Sequence, residues 1–437
     1  MDGVKQAVFY LTYNGIVSNT NGIGTQAKTF LAGLTTYYPA LTKAFGDFDV
    51  HVITQIPYAG NWGYSATDRQ YAEDTVAQLG GRVHYCPYRT ADYELWTPAG
   101  WQAASLTASA IVLEAAIHYD RILVVANDLP FLHTPLYLEL AKPMVGRPNC
   151  HIQSLIALYT SAYVHTRHAV DLERVAWEQV GLTTARHHPD VKLARYGEFM
   201  HRHFIEHYGA DAFQSVPYTS SLLLEHSDFK PMPPEQVQSI LTSNHIPLDE
   251  PLIFAFGRAD WVKGFDILLK AMAAVNNQAH LVLNVVPYAP DAPILNEYRE
   301  LIEANGLAAS LSVGYSRELP RALCQWTNTR AVVCPSRGEP LSNIPFEVAL
   351  WANNQGPVIV CAALDGYLEQ IEDGQDGFLF DPTEPGDLER VLTQVLVLTS
   401  AQRATFRQAA YHKVIRQRDW RANFKEMLGC FWRARND

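Results

Sequence analysis

The sequence predicts an α/β protein built from two Rossmann-like domains with a cleft between them. Three observations carry this. Short apolar runs suited to buried strands alternate with helical apolar spacing in both halves of the chain. The chain has 437 residues, too long for one typical core. Pro-rich stretches at 230–235 and 247–251 read as a linker. The expected domains are therefore 1–245 and 246–410, with a helical tail at 411–437.

Composition narrows the function classes. The chain is 48% hydrophobic and 18% charged, which is ordinary globular material. Its formal net charge of −11 argues against nucleic-acid partners and against strong attraction to anionic lipid. None of the six cysteines stands in a C-x-x-C pair, so buried free thiols in a reducing cytoplasm are expected. The first residues lack a basic segment followed by an apolar core, and no stretch reaches the ~18 apolar residues of a membrane span. A soluble protein without membrane insertion is expected.

In the first half, 7–13 reads as a strand and 26–36 as a helix with Ala27, Phe30, Leu31 and Leu34 on one face. Between them, Gly22 and Gly24 let backbone come close to a ligand at the helix N-terminus. Gly22-x-Gly24-x-x-Ala27 also fits a dinucleotide fingerprint. That fingerprint needs a tight turn directly after the strand and an acid after strand two. The loop here is longer, and strand two at 49–54 runs into Gln55-Ile56-Pro57, so a nicotinamide oxidoreductase is disfavoured. Asp47-Phe48-Asp49 is a D-x-D, but it lies at the start of strand two, whereas ligands gather at carboxyl ends. No metal role is expected for it. Residues 55–101 hold Tyr58, Trp62, Tyr64, Tyr71, Tyr93, Trp96 and Trp101, which suit either sugar stacking or local packing. A helix at 67–79, a strand at 82–86, a helix at 102–118 and strands at 121–126 and 152–159 follow. Asp128 stands at a carboxyl strand end, and His165 follows the last of these strands. Helices are expected at 171–180 and 191–208, the second with a solvated face of Arg195, His201, Arg202, His203 and His207. A short strand at 213–217 precedes Tyr218-Thr219-Ser220-Ser221.

The second half opens with a strand at 252–256, then Gly257-Arg258 and Lys263-Gly264, then a helix carrying Phe265, Leu268, Leu269, Met272 and Val275. Arg258 and Lys263 flank a strand-to-helix turn, and both can point at one diphosphate, Arg as a planar fork and Lys as a point charge. Strands are expected at 281–286 and 311–313, the latter ending at Gly314-Tyr315. After a strand at 331–334, a loop leads into a helix that Ser342 or Asn343 can cap. Glu339 lies in that loop and Glu347 in the first helical turn. The helix N-terminus near Leu341, Ser342 and Asn343 suits an anionic phosphate. One loop thus offers phosphate donors and two hydroxyl-binding carboxylates, which a nucleotide sugar needs. A helix at 387–398 and a helical tail with Trp420 complete the chain.

The Gly-Arg-x4-Lys-Gly element at 257–264, the Glu-x7-Glu pair Glu339 and Glu347, the Gly366…Glu369 turn and Asp376-Gly377 before Phe378-Leu379-Phe380 together resemble the retaining, group 1 glycosyltransferases of the GT-B fold, family 4-like. The resemblance spans 252–382 well and the first domain weakly. It implies that Glu339 binds donor-sugar hydroxyls, Glu347 the ribose, Arg258 and Lys263 the diphosphate, and Gly314-Tyr315 the surroundings of the base. It places Gly22 and Gly24 at the cleft, Asp128 near the acceptor and His165 against the donor sugar, and it brings the tail back onto the first domain. The Asn-Gly turn common in relatives is replaced by Tyr218-Thr219. The implied activity is metal-independent transfer of a hexose from a nucleotide-diphosphate sugar to a small polar acceptor, a sugar or cyclitol, in carbohydrate biosynthesis. The nucleotide sugar is a co-substrate and no further cofactor is implied. Attack from the leaving-group face needs no side-chain nucleophile; Asp128 or His165 as a base is the variant. A sugar phosphorylase, a nucleotide-sugar epimerase and an inactive sugar-nucleotide-binding protein stay open. The sequence is silent on the oligomeric state.

Overall fold

The structure, a computed structural model, describes residues 4–17, 22–57, 64–86, 97–144, 150–164, 170–209, 214–275, 278–287, 289 and 291–432. It divides into two compact units, Met1–Leu223 with Asp419–Asp437, and Leu224–Arg418.

The first unit runs β1 (Gln6–Leu11), α1 (Gly22–Phe45), β2 (Phe48–Gln55), α2 (Ala66–Gln78), β3 (Val83–Cys86), α3 (Pro98–Ala115), β4 (Arg121–Asn127), α4 (Thr134–Ala141), β5 (His151–Ala157), α5 (Leu172–His187), β6 (Val191–Arg195), α6 (Glu198–Tyr208) and β7 (Ser215–Pro217). These strands form one parallel sheet in the order β3-β2-β1-β4-β5-β6-β7. Helices on both faces bury the central strands completely, so β1 reads as an unbroken apolar run and not as an alternation. Phe9, Leu11, Ile122, Val124 and Ala126 centre the core. The single helix expected at 191–208 is corrected to a strand and a helix. Val191 and Leu193 are buried on either side of half-exposed Lys192, which is a period of two, and Gly197 restarts the chain as the N-cap of α6. α1 also outruns its expected end, because Leu41 and Phe45 continue the buried stripe past Pro39.

The second unit runs α7 (Pro234–Ser243), β8 (Leu252–Arg258), α8 (Phe265–Ala271), β9 (His280–Val286), α9 (Ile294–Ala304), β10 (Ala309–Val313), α10 (Glu318–Cys324), β11 (Thr329–Cys334), α11 (Ile344–Trp351), β12 (Val358–Ala362), α12 (Tyr367–Gln370), β13 (Phe378–Phe380), α13 (Asp387–Leu396) and α14 (Ser400–Gln417). Its parallel sheet has the order β10-β9-β8-β11-β12-β13. The Pro-rich stretch read as a linker is docked inside this unit, so the expected boundary at 245 falls within it. Met232 N–H donates to Gln325 Oε1 at 2.7 Å, Arg321 Nη2 donates to the Ser227 and Lys230 carbonyls, and Val237 and Leu241 of α7 are buried.

The chain re-enters the first unit through α15 (Trp420–Gly429). Trp420 N–H donates to the Leu222 carbonyl at 3.0 Å, and the Trp420 ring lies so close to Gly33 of α1 that a Cβ there would meet it at 2.5 Å. Phe424 packs edge-on against Phe30. No helix among the described residues is long and apolar enough to cross a membrane.

Each unit therefore repeats one winding, in which strand order reverses beside its first strand. The switch points lie between β1 and β4 and between β8 and β11. Ligands of open α/β sheets bind outside the carboxyl ends of strands at such points.

Candidate active site

At the switch point of the second unit, β8 delivers Arg258 at its last residue. Arg258 Nη2 stands 3.2 Å from Asp260 Oδ2, and Asp260 Oδ1 accepts the Lys263 N–H at 3.0 Å, closing the turn that presents Lys263. Gly264 sits at φ +64°, and a Cβ there would lie 2.0 Å from the Pro335 carbonyl oxygen. Only glycine lets the β8–α8 and β11–α11 loops touch here. Arg337 staples the same two loops. Its N–H donates to the Val262 carbonyl at 2.7 Å, its guanidinium forks onto Asp266 at 2.7 Å per arm, and it lies over the Trp261 ring. Burial pushes the Asp266 carboxyl up, but the Arg337 fork outweighs it and holds the group below its usual range.

This closeness pairs Lys263 Nζ with Glu339 Oε2, an ion pair whose side chains are 15% and 9% exposed. Glu339 is fixed from behind. Its N–H donates to Asp365 Oδ2 at 3.0 Å and its carbonyl accepts the Gly366 N–H at 2.9 Å. A Cβ on Gly366 would lie 1.9 Å from the Pro340 carbonyl oxygen. Gln370 clamps Ser342 from both sides, accepting its N–H at 2.9 Å and donating to its carbonyl at 2.6 Å. Lys413 ties the Gln370 carbonyl to Asp376, each at 2.8 Å. The Gly366…Glu369 and Asp376-Gly377 motifs thus act as the frame of the Glu339 loop.

The N-terminus of α11 is less open than its sequence implies. Ser342 N–H is taken by Gln370, Ile344 N–H by Ser342 Oγ at 3.3 Å, and Pro345 has none. Asn343 occupies the N-cap without a side-chain capping bond. Glu347, in the first turn, is buried, and burial raises its carboxyl pKa above the usual range although Arg317 opposes this. Gly314, at φ +130°, and the half-exposed Tyr315 follow β10. Arg317, absent from the sequence reading, joins Glu347 to Asp228. A cation shortly after Gly314-Tyr315 at a carboxyl strand end was its only signal.

The switch point of the first unit differs. Gly22 and Gly24 are helical from the start of α1, and the special backbone belongs to Gly15 at φ +93°. A Cβ on Gly15 would meet the Gly24 carbonyl at 2.4 Å. Asp128, directly after β4, has φ 63° and ψ 179°, a region almost reserved for glycine. It is 3% exposed and its Oδ1 has no partner among the described residues. Burial lifts its pKa to about 6, with Arg174 opposing. Beside it, Asn127 Nδ2 donates to the Leu11 carbonyl at 2.8 Å and Asn127 Oδ1 accepts from Tyr159 OH at 2.6 Å. Tyr218 is half-buried and hydrogen-bonded to Tyr10 and Tyr159, and Thr219 Oγ1 donates to the Tyr196 carbonyl at 2.7 Å.

Other candidates resolve as structural or lie elsewhere. Asp49 accepts from Tyr119 OH at 2.8 Å, and among the described residues no group of three or more His, Cys, Asp or Glu could hold a metal ion. Trp101 is buried, 5.8 Å from the Trp177 ring. The expected solvated face of α6 is corrected at His203, which is buried with its Nε2 2.6 Å from Ser161 Oγ. His165, Tyr58, Trp62, Tyr93 and Trp96 lie outside the described residues.

Residues 237–413 match the family of glycosyl transferases group 1. The chain is similar to the glycogen synthase of Thermus thermophilus, 27% identical over 141 residues, which is 32% of this chain and 30% of that one. It is 26% identical over 195 residues to granule-bound starch synthase 1 of Solanum tuberosum, covering 42% of this chain and again 30% of the relative. The match thus spans under a third of these relatives' length. Across nearly the whole chain the fold matches sucrose-phosphate synthase from Thermosynechococcus elongatus, at TM-score 0.72, 15% identity and 98% of each chain. It also matches Anabaena HepE in complex with UDP and glucose, at TM-score 0.67 and 15% identity over 98% of this chain and 99% of that one. The likeness to glycosyl transferases group 1 thus lies in residues 237–413, and the fold of the whole chain is that of the two-domain sucrose-phosphate synthase structure.

Proposed function

We propose that this protein is a retaining hexosyltransferase that moves a hexose from a nucleoside-diphosphate sugar to a hydroxyl of a small polar acceptor, a sugar or cyclitol, without a metal, in the cytoplasm. The observation that carries the reading is the convergence of Arg258, Lys263, Glu339 and Glu347 on one switch point, on loops locked by Gly264 and Gly366. The second unit binds the donor. Arg258 and Lys263 take up the charge that develops on the departing diphosphate, the step such a reaction most needs. Lys263 is held ready by Glu339, and Glu339 is free to turn one oxygen to the donor sugar. Glu347 receives the ribose, and Gly314-Tyr315 border the base. The first unit supplies the acceptor site at Asp128. Its lifted pKa and unpaired Oδ1 also support the variant in which Asp128 takes the acceptor proton.

The test is a thermal-shift screen with UDP, GDP, ADP and dTDP sugars, first in EDTA and then with Mg2+. A ligand far above its dissociation constant raises the melting temperature by mass action. One nucleotide is expected to do so in EDTA. A shift only with Mg2+ overturns the metal-free site, and no shift with any of them overturns the donor reading.

A further inference from the structure

We infer that Arg317 is a positioning residue for the nucleotide ribose, acting by holding Glu347 in place. The inference rests on the donor-site reading above. Arg317 stands just before α10, at the carboxyl end of β10. Its Nε donates to Asp228 Oδ2 at 2.6 Å and its Nη1 to Glu347 Oε1 at 3.4 Å. The guanidinium also lies 5.6 Å from the centre of the Trp351 ring and 6.0 Å from that of Phe229.

The arrangement is over-determined on the Arg317 side. Asp228 belongs to the short helical turn Ser227–Phe229, which three separate contacts anchor. Trp351 Nε1 donates to the Asp228 carbonyl at 2.9 Å, and Arg321 Nη2 donates to the Ser227 and Lys230 carbonyls at 3.0 and 2.6 Å. Glu347 and Trp351 lie one turn apart on α11, so the same anchored segment reaches both the carboxylate and the ring behind it. Glu347 itself uses only Oε1 with protein; its Oε2 has no partner among the described residues. A buried carboxylate with one oxygen fixed by a guanidinium has the other left for a hydroxyl pair in a set direction. Burial alone favours a neutral, loosely aimed carboxyl at this site, and Arg317 is the opposing charge. Arg317 does this through Glu347 and does not need to touch the ligand.

The experiment measures dissociation constants by calorimetry for UDP, ADP and GDP, and for the 2′-deoxy and 3′-deoxy forms of the one that binds. Arg317→Gln is expected to weaken the ribonucleotide roughly tenfold to a hundredfold, the scale of one lost charged hydrogen bond. With the deoxy nucleotide that already lacks the Glu347 contact, the same substitution is expected to cost almost nothing. Arg317→Lys, which keeps the charge but not the fork, is expected to recover part of the loss. An equal penalty on ribo and deoxy forms overturns the inference and makes Arg317 merely structural. Deoxy forms that bind wild type as well as the ribonucleotide overturn it too. Binding by wild type of none of these three, nor of dTDP, overturns the donor reading itself, a failure recognisable because it precedes any substitution.

Discussion

At the β8/β11 switch point the ionised side chains stand in pairs: Lys263 with Glu339, Arg258 with Asp260, Arg337 with Asp266, and Arg317 with Asp228 and Glu347. At the β1/β4 switch point the carboxylate at the strand end, Asp128, is buried on strained backbone with one oxygen unpaired among the described residues. One winding thus carries two electrostatic designs. The paired site is organised before any ligand arrives, so little reorganisation is left for the moment of charge development. The unpaired site holds a group whose solvation is incomplete, and a polar hydroxyl would complete it.

The largest expected effect breaks the paired side. Lys263→Ala should lower turnover by about two to three orders of magnitude, the range for losing one preorganised charge-stabilising group. Steady-state kinetics beside an unchanged far-UV CD spectrum checks this. Near-normal turnover would remove Lys263 from the leaving-group role and with it the meaning of the ion pair.

Gly366→Ala tests the frame and not the charges. The new Cβ would lie 1.9 Å from the Pro340 carbonyl and 2.9 Å from that of Glu339, and backbone cannot yield cheaply. A loss of about 2–3 kcal/mol in urea unfolding is expected, with weakened nucleotide binding. Gly429→Ala, where a Cβ meets nothing within 4 Å, should be nearly neutral. Equal behaviour of the two would mean that the Glu339 loop is softer than its contacts indicate.

How much of this was legible follows the same divide. Arg258 with Lys263, and Glu339 with Glu347, are each close in sequence, so local motifs single them out as candidates once the surrounding pattern is read with them. Arg317 and Asp228 meet across 89 residues, and no local pattern announces such a pair. The Gly366 turn was visible, but its function as a stop behind Pro340 depends on where another loop passes. In the first unit, five residues of β6 were too short a run to defeat the helical reading of 191–208. The place of Asp128 at a strand end was legible, whereas its backbone strain has no sequence signature, since aspartate at positive φ is set by the fold around it.

Asp128→Asn tests the unpaired side. The folded pKa of about 6 lies above the ordinary 3.8, so the folded state holds the proton more tightly and this group costs stability as pH rises from about 3.8 to about 6. Asparagine never bears the charge. The variant should be more stable than wild type by about 2–3 kcal/mol above pH 6. The gain should vanish near pH 4, and turnover should fall. A stability gap independent of pH would show that the charge of Asp128 does not set the cost.

The smallest effect concerns a histidine chain in the first unit, where acid acts with the opposite sign. Tyr119 OH donates to Asp49 Oδ2 at 2.8 Å, so it accepts from His51 Nε2 at 2.8 Å. That leaves His51 Nδ1 as an acceptor, 3.1 Å from His84 Nε2, which must be the donor. Both rings are neutral in this arrangement, and a proton added to His51 Nδ1 would face another N–H. Burial lowers both pKa values to about 4, Arg82 adding to it for both rings and His51 for His84. The unfolded chain takes up these protons near 6.5, so stability is lost as pH falls from about 6.5 to about 4 and levels off below. His133 and His203, also in the first unit, are lowered to about 4 by burial as well. His84→Gln keeps an N–H donor and removes one titration. Its urea midpoint should fall less steeply between pH 6.5 and 4, by at most about 1.4 kcal/mol per pH unit. Hydrogen exchange over the same range should open the first unit before the second. If both open together, the acid-sensitive histidines do not separate the two units, and the contrast drawn at their switch points does not extend to their stability.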